Sequence, residues 1–268
     1  MSEFLLIDGS YYIFYRYHAL IQWWKHANSD VPLPDNPCDN EEFIEKFKKI
    51  FISKITEIKK KLKLKNPMIM VAQDCPRENI WRNKIFPDYK KQRVNNTDVG
   101  QAFKCVYTED LFKKAGAHLL IKHPELEADD CIALTIKNLR KLSPTKTIYI
   151  ITSDMDYLQI ADDITIPTNL KYSPLQDSKQ SFKNCKKDLF CKIVMGDKSD
   201  CIPPVFKKCG IKTAEKYFNN EALFIQKIES DDEAKKQYEL NKQLIDFSNI
   251  PKKLVTEFNT GKYSIKFV

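Results

Sequence analysis

Nine acidic side chains fall in five tight places: Asp8, Asp74, the run Glu127-Ala-Asp129-Asp130, the pair Asp154-Met-Asp156 and the pair Asp197-Lys-Ser-Asp200. Most of these groups directly follow an apolar, β-branched run, such as Phe4 to Ile7, Met68 to Ala72 or Thr147 to Ile151. Carboxylates converging at strand ends repel one another by roughly a few kcal/mol unless cations neutralise them. Hard divalent ions such as Mg2+ take oxygen ligands and keep some of their water, which suits a set free of His and Cys. Two such ions can clamp the attacking and leaving oxygens of a phosphodiester.

The segment Arg77 to Arg93 carries the opposite charge. Arg82, Lys84, Lys90, Lys91 and Arg93 alternate there with Trp81, Phe86 and Tyr89. Basic side chains bind phosphates and aromatics stack on unpaired bases, so this stretch is a candidate for gripping a strand beside the acids. A solvated helix with its aromatics tucked against the core is the plainer alternative. A third element runs from Met195-Gly-Asp197 to Cys209-Gly210-Ile-Lys212-Thr213-Ala. A hairpin opening a helix at Gly210, Lys212 and Thr213 would offer backbone N–H groups to a duplex phosphate.

Elements that would position these residues alternate between strand and helix. Strands are expected at 4–7, 68–72, 118–121 and 147–151, with a weaker one at 164–166. Helices are expected at 11–24, capped by Ser10, at 41–64 from the spacing of Phe43, Phe47, Phe51 and Ile55, and at 127–142. Residues 28–40 read as a polar loop, 77–115 as charged with short helical stretches, and the chain beyond 185 as mostly helical. Such an order predicts an α/β fold with a mostly parallel sheet, and ligands bind beyond the carboxyl ends of its strands. Asp8, Asp74 and Asp154 all fall at that edge.

Each acid also has a bland explanation. Glu127, Asp129 and Asp130 would suit the first turn of a helix, Asp154 could cap a short one, and Asp8 before Gly9-Ser10 could only make a turn. Capping does not explain why several strands end in acid. The chain of 268 residues carries a net charge of +8, and without the nine acids 27 carboxylates remain against 44 Lys and Arg. Polyanion binding is one reading of this excess and a lysine-rich solvated surface is the other. The amino terminus shows no basic, apolar export signal. Eight cysteines lack C-x-x-C spacing and accompany only four histidines, which disfavours zinc and fits reduced thiols in an intracellular compartment.

In combination, Asp8-Gly-Ser10 with Tyr17-His-Ala19, Phe86-Pro-Asp-Tyr-Lys90-Lys-Gln-Arg93, Glu127-Ala-Asp129-Asp130, Ser153-Asp154-Met-Asp156 and Gly196-Asp197-Lys-Ser-Asp200-Cys-Ile-Pro resemble the 5′-nuclease family. That family includes flap endonucleases, the 5′-nuclease domains of bacterial DNA polymerases and phage ribonuclease H-type 5′-nucleases. The resemblance covers roughly residues 4 to 220 in the family's order. It implies a PIN-like catalytic domain over 1–184, a helical arch over about 77–115, and a helix-hairpin-helix DNA-binding region over 185–268.

It further implies an Mg2+-dependent nuclease, with Mn2+ as a substitute, that cuts DNA near 5′ ends and flap junctions or removes RNA primers from RNA–DNA hybrids. Asp8, Asp74, Glu127, Asp129 and Asp130 would organise one ion, and Asp154, Asp156, Asp197 and Asp200 a second. Lys90 and Arg93 match the family's basic pair at the base of the arch. Arg16 stands one residue off the register of a first-helix arginine that contacts nucleic acid. Arg82, Lys84, Tyr89 and Lys91 would join the strand contacts, and Gly210, Lys212 and Thr213 the duplex contacts. Two departures stand out: Lys208-Cys-Gly210 replaces the usual Gly-x-Gly hairpin, where the family binds a monovalent cation, and Cys201 replaces an Asn. A soluble monomer with DNA as its partner, of intracellular and conceivably viral setting, is the expectation; an RNA-directed PIN-like nuclease and a non-catalytic junction binder are the rivals.

Overall fold

Successive side chains of each central strand enter two different cores, and this explains the layering. In the computed structural model, which describes residues 3–28, 32–93 and 97–267, β1 (Glu3–Asp8) leads without a loop into α1 (Gly9–Ala27), and α2 (Glu41–Lys61) precedes β2 (Met68–Ala72). Then come α3 (Thr97–Thr108), the single turn α4 (Leu111–Lys114), β3 (Leu119–Ile121), α5 (Ala128–Leu142), β4 (Thr147–Ile151) and β5 (Thr165–Thr168). The sheet order is β5-β4-β1-β2-β3, with all these strands parallel. Leu5, Ile7, Ile69 and Val71 face one core with α1, α2 and α3. Leu6, Met70, Ala72 and Ile150 face the other with α5. Side chains alternating across a pleat, each side covered by helices, give this sandwich.

The register sets the site. Asp8 stands opposite Ala72, and Ile7 opposite Ile151, so β1, β2 and β4 end level with one another. Asp8, Asp74 and Asp154 therefore emerge at one edge, as the sequence predicts. The helix start differs from expectation: Asp8, not Ser10, caps α1, accepting a hydrogen bond from Tyr11 N at 3.0 Å. Ser10 is left free to reach across to Asp74.

Beyond β5 the chain is helical: α6 (Cys185–Met195), α7 (Ile211–Asn219), α8 (Glu221–Glu229), α9 (Asp232–Ile245) and α10 (Lys252–Asn259). The expected division at residue 185 is crossed by the chain's own end. Phe247, Ile250, Leu254 and Phe258 pack in the core under the sheet, and β6 (Ile265–Lys266) pairs antiparallel with β3. The helical part is thus an excursion that returns to the sheet. Where a helical arch was expected, the described residues form two short 3-10 turns, Arg77–Asn79 and Trp81–Lys84, and then α3. Val99, Ala102 and Val106 of α3 are buried against the α1 side of the core. Residues 94–96 of that stretch and 29–31 of the polar loop lie outside the described residues. All eight cysteines are free thiols, and no helix among the described residues is long and apolar enough to cross a membrane.

Candidate active site

The carboxyl edge of the sheet opens into a cleft of about 730 Å³ lined by Asp8, Asp74, Glu127, Asp129, Asp154 and Asp197, with Lys90 and Arg93 among them. Six of the nine predicted acids face this one space; Asp130, Asp156 and Asp200 stand behind it. A second cavity, of about 1070 Å³, shares Ser10, Phe14, Asp74, Lys90, Arg93 and Glu127 with the first and continues between Pro76–Ile80 and α3. The acids therefore lie on a trench with Lys90 and Arg93 at its waist.

Asp8, Asp74, Asp129 and Asp154 form no ion pair among the described residues. Neutral donors hold them instead. Thr152 Oγ1 donates to Asp8 at 3.4 Å, the Ser10 hydroxyl and Ala128 N (2.7 Å) donate to Asp74, and Asp130 N donates to Asp129 at 2.7 Å. Asp154 caps the 3-10 turn Met155–Ile160 by accepting from Asp156 N at 2.9 Å. Burial, and next the charge of Asp74, pushes Asp8 up to about 7. Burial and Asp156 push Asp154 up to about 6. Burial likewise raises Asp74, and burial with Asp130 raises Asp129. Burial is the largest cause at all four, and it raises Asp200 as well, against the opposing charges of Lys90 and Arg93.

The other acids have a cationic partner. Lys192 Nζ on α6 bridges Asp156 (2.7 Å) and Asp197 (2.6 Å). Arg93 pairs with Asp200 at 2.5 Å, and Lys90 lies 3.7 Å from the same carboxylate. Glu127 accepts from Lys90 (2.5 Å), Arg82 (3.0 Å) and the Tyr89 hydroxyl (3.0 Å). Burial alone would raise Glu127, but Lys90 and Arg82 outweigh it and hold its carboxyl below the ordinary value. Burial also opposes the charge on Lys90, yet Glu127 and Asp200 hold its ammonium more firmly protonated than usual.

Several of the expected nucleic-acid contacts are buried in this geometry. Arg82 is 2% exposed. Its guanidinium grips both oxygens of the fully buried Asp130, at 2.7 and 2.8 Å, and its Nε donates to Leu244 O at 2.7 Å. Asp130 also accepts from Trp81 Nε1 at 2.9 Å, so both its oxygens are committed to protein donors. Tyr89 is buried against Glu127, and neither it nor Trp81 offers a ring face to a base. Arg16 is buried over the Tyr12 and Tyr15 rings and offers no surface to a strand. The aromatics of 77–93 serve the core; no helical period marks which side of so irregular a stretch is inside.

Lys84 and Lys91 are exposed, and each pairs with an acid, Glu125 and Asp88 respectively. Gly210, Lys212 and Thr213 open α7, whose first residue Ile211 lies at the rim of the cleft. The hairpin before it is held by Gly196, at φ 67°, where an added Cβ would strike Ile202 O at 2.4 Å. Mutual backbone bonds between Asp197 and Ile202 close it. Lys90, at φ 54°, donates its N–H to Asp200 O at 3.0 Å, and Arg77 donates to the carbonyls of Lys90 and Arg93. The turn bearing the two cations is thus pinned to the hairpin bearing Asp197 and Asp200. Sequence reasoning missed Lys192 and Arg77; the signal for Lys192 was a lone cation between Cys191 and the apolar pair Ile193-Val194.

Residues 3–189 match the model of the 5′-3′ exonuclease N-terminal resolvase-like domain. No curated protein matches the sequence. Among solved structures, a bacteriophage T5 protein co-crystallised with metal ions is similar over 96% of this chain and 97% of its own, at 15% identity and a TM-score of 0.65. The bacteriophage T5 flap endonuclease in a pseudo-enzyme–product complex with DNA and metal ions has 17% identity, a TM-score of 0.64 and the same coverage. The T5 5′-exonuclease with bound zinc has 16% identity and a TM-score of 0.64, again over 96% and 97% of the two chains. At such identities the likeness is one of fold.

Proposed function

The chain belongs to the family of 5′-3′ exonucleases with an N-terminal resolvase-like domain, and from that premise we propose that it hydrolyses DNA phosphodiesters near 5′ ends and flap junctions with Mg2+. The observation that carries this reading is the group Asp8, Asp74, Asp129 and Asp154, which converges on one cleft with no cationic partner among the described residues and with elevated proton affinity. An all-oxygen donor set of this kind fits a hard divalent ion. Asp8, Asp74, Asp129 and Glu127 would hold one ion, and Asp154 with Asp197 a second, with Asp156 and Asp200 behind them. Such ions supply a Lewis acid at the scissile phosphate and lower the pKa of a bound water.

The chain's own residues do the rest. Lys90 and Arg93, at the waist of the trench, place positive charge on the phosphate entering between the two cavities. Glu127 and Asp200 keep both cations aimed and charged. Asp130 and Arg82 fix the first turn of α5, so that Glu127 and Asp129 project at a constant angle. The duplex would lie against Lys212, Thr213 and the N–H groups opening α7, and the 5′ strand would follow the second cavity. Lys84 and Lys91 would lie on the outer side of that path.

The test compares labelled 5′-flap, nicked, blunt, single-stranded and RNA–DNA substrates in Mg2+, with wild type beside Asp154→Asn. Wild type should cut the flap fastest, and Asp154→Asn should bind it in Ca2+ while barely cutting. Cleavage by that variant at the wild-type rate would overturn the metal assignment; fastest cutting of RNA–DNA would redirect the substrate. Lys90→Ala should slow cleavage more than it weakens binding.

A further inference from the structure

Two phenol groups bracket the unpaired acids without a partner of their own. Tyr157 follows Asp154-Met-Asp156 in its 3-10 turn and is 0% exposed, yet its hydroxyl makes no hydrogen bond among the described residues. Asp8, Asp129, Asp154 and Asp74 all lie within electrostatic reach of it. Tyr107 comes from the opposite side of the sheet, on α3. Its buried hydroxyl is likewise unbonded and lies 2.9 Å from where a side-chain carbon on Gly9 would stand, with Asp74 and Asp8 in reach. A buried hydroxyl without a partner costs stability that phenylalanine, of the same shape, would not. Such an orphan calls for an explanation, and an ion or ordered water is the usual one.

We propose that Tyr157 and Tyr107 are positioning residues that donate hydrogen bonds to the water shell of a divalent ion held by Asp8, Asp74, Asp129 and Asp154. The inference rests on the metal reading above. Carboxylates near each hydroxyl stand too far for a direct bond, and a water between them closes such a gap. Mg2+ keeps several of its waters when protein-bound and needs them oriented. Tyr157 would orient those on the α5 side of the cluster and Tyr107 those on the α1 side. Glycine at position 9 is part of the arrangement, because any side chain there would meet Ala72 O at 2.5 Å and displace the Tyr107 hydroxyl.

Tyr157→Phe and Tyr107→Phe each remove one oxygen and keep the ring. Calorimetric titration with Mg2+ and with Ca2+, and melting with and without Mg2+, read the effect apart from turnover. Each variant should bind the ions about tenfold more weakly, in the range seen on loss of groups that orient metal ligands. Its metal-free form should melt no lower than wild type, because an unsatisfied group has been removed. Cleavage should need about tenfold more Mg2+ for half its maximal rate and should recover at saturation. Unchanged ion affinity, or a lower metal-free melting point with an unchanged response to Mg2+, would overturn the proposal. Failure of wild type itself to bind either ion would instead overturn the metal reading, and this inference with it.

Discussion

The trench and the layer behind it hold two kinds of acid. Asp130, Asp156, Asp197 and Asp200 are each matched by a lysine or arginine within 4 Å. Asp8, Asp74, Asp129 and Asp154, a few residues away in sequence or space, have only hydroxyls and amides among the described residues. Paired carboxylates can be buried without any further ion, whereas unpaired ones are strained until they take up a proton or a cation. The difference teaches that composition alone hides a division of labour. One set is walled in by the chain's own cations, and the other has none among the described residues.

The largest test of this contrast removes a wall. Arg82→Met leaves Asp130 and Glu127 uncompensated and should lower unfolding free energy by about 3–5 kcal/mol, read from the urea midpoint. Asp8→Asn addresses the other set. Asparagine keeps the cap on α1, so at about pH 8 the metal-free variant should melt above wild type while cleavage falls at least a hundredfold, roughly the upper effect of losing a group that only orients a ligand. A variant that melts lower would show that Asp8 is not strained.

Acidity separates the sets only in part, since burial raises Asp200 despite Lys90 and Arg93. Asp8 and Asp154 hold protons in the folded state up to about 7 and 6, against 3.8 when unfolded. The folded chain therefore binds more protons than the unfolded one across that window. Their contribution is full at low pH and is lost as pH rises from about 4 to 7. Glu127 and Asp197 are shifted the other way, so their contribution is complete above about pH 4.5 and is lost on acidification. Metal-free melting should thus peak on the acid side of neutrality, and saturating Mg2+ should flatten the alkaline decline. A decline that Mg2+ leaves untouched would break the link between unpaired acids and ion demand.

Lys192→Met converts one kind into the other. It should cost about 1–3 kcal/mol in the metal-free state, because Lys192 is partly solvated, and should tighten a second divalent-ion step in calorimetry. Smallest of all is Cys201→Asn. Cys201 sits at φ 63°, a left-handed conformation that asparagine adopts more readily, so stability should rise by up to about 1 kcal/mol with ion binding unchanged.

That last position shows how much was legible. A departure from the family pattern at Cys201, and another at Lys208 (φ 59°), marked two turn positions whose backbone demands the sequence alone could not display. Strands ending in acid were readable because β-branched runs and the charge change coincide. The α1 cap was misplaced by two residues because Asp8 and Ser10 are both good caps, and only the abrupt strand-to-helix junction decides between them. Burial of Arg82, Trp81 and Tyr89 was hidden for another reason. Their partners, Asp130, Glu127 and Leu244, lie between 38 and 162 residues away. The pairing of β6 was beyond reach, being two exposed residues with no pattern.

Yet β6 changes how the helical excursion behaves. Because α10 and β6 return the chain to the sheet, residues 185–245 are moored at both ends rather than hung from one hinge. A double mooring removes the wide swing open to a domain on a single tether. Helices moored in this way would act as a fixed-length gauge, holding a duplex at one set distance from the acids. Where a strand is cut would then follow from the architecture of the scaffold, with no need for the protein to read a single base.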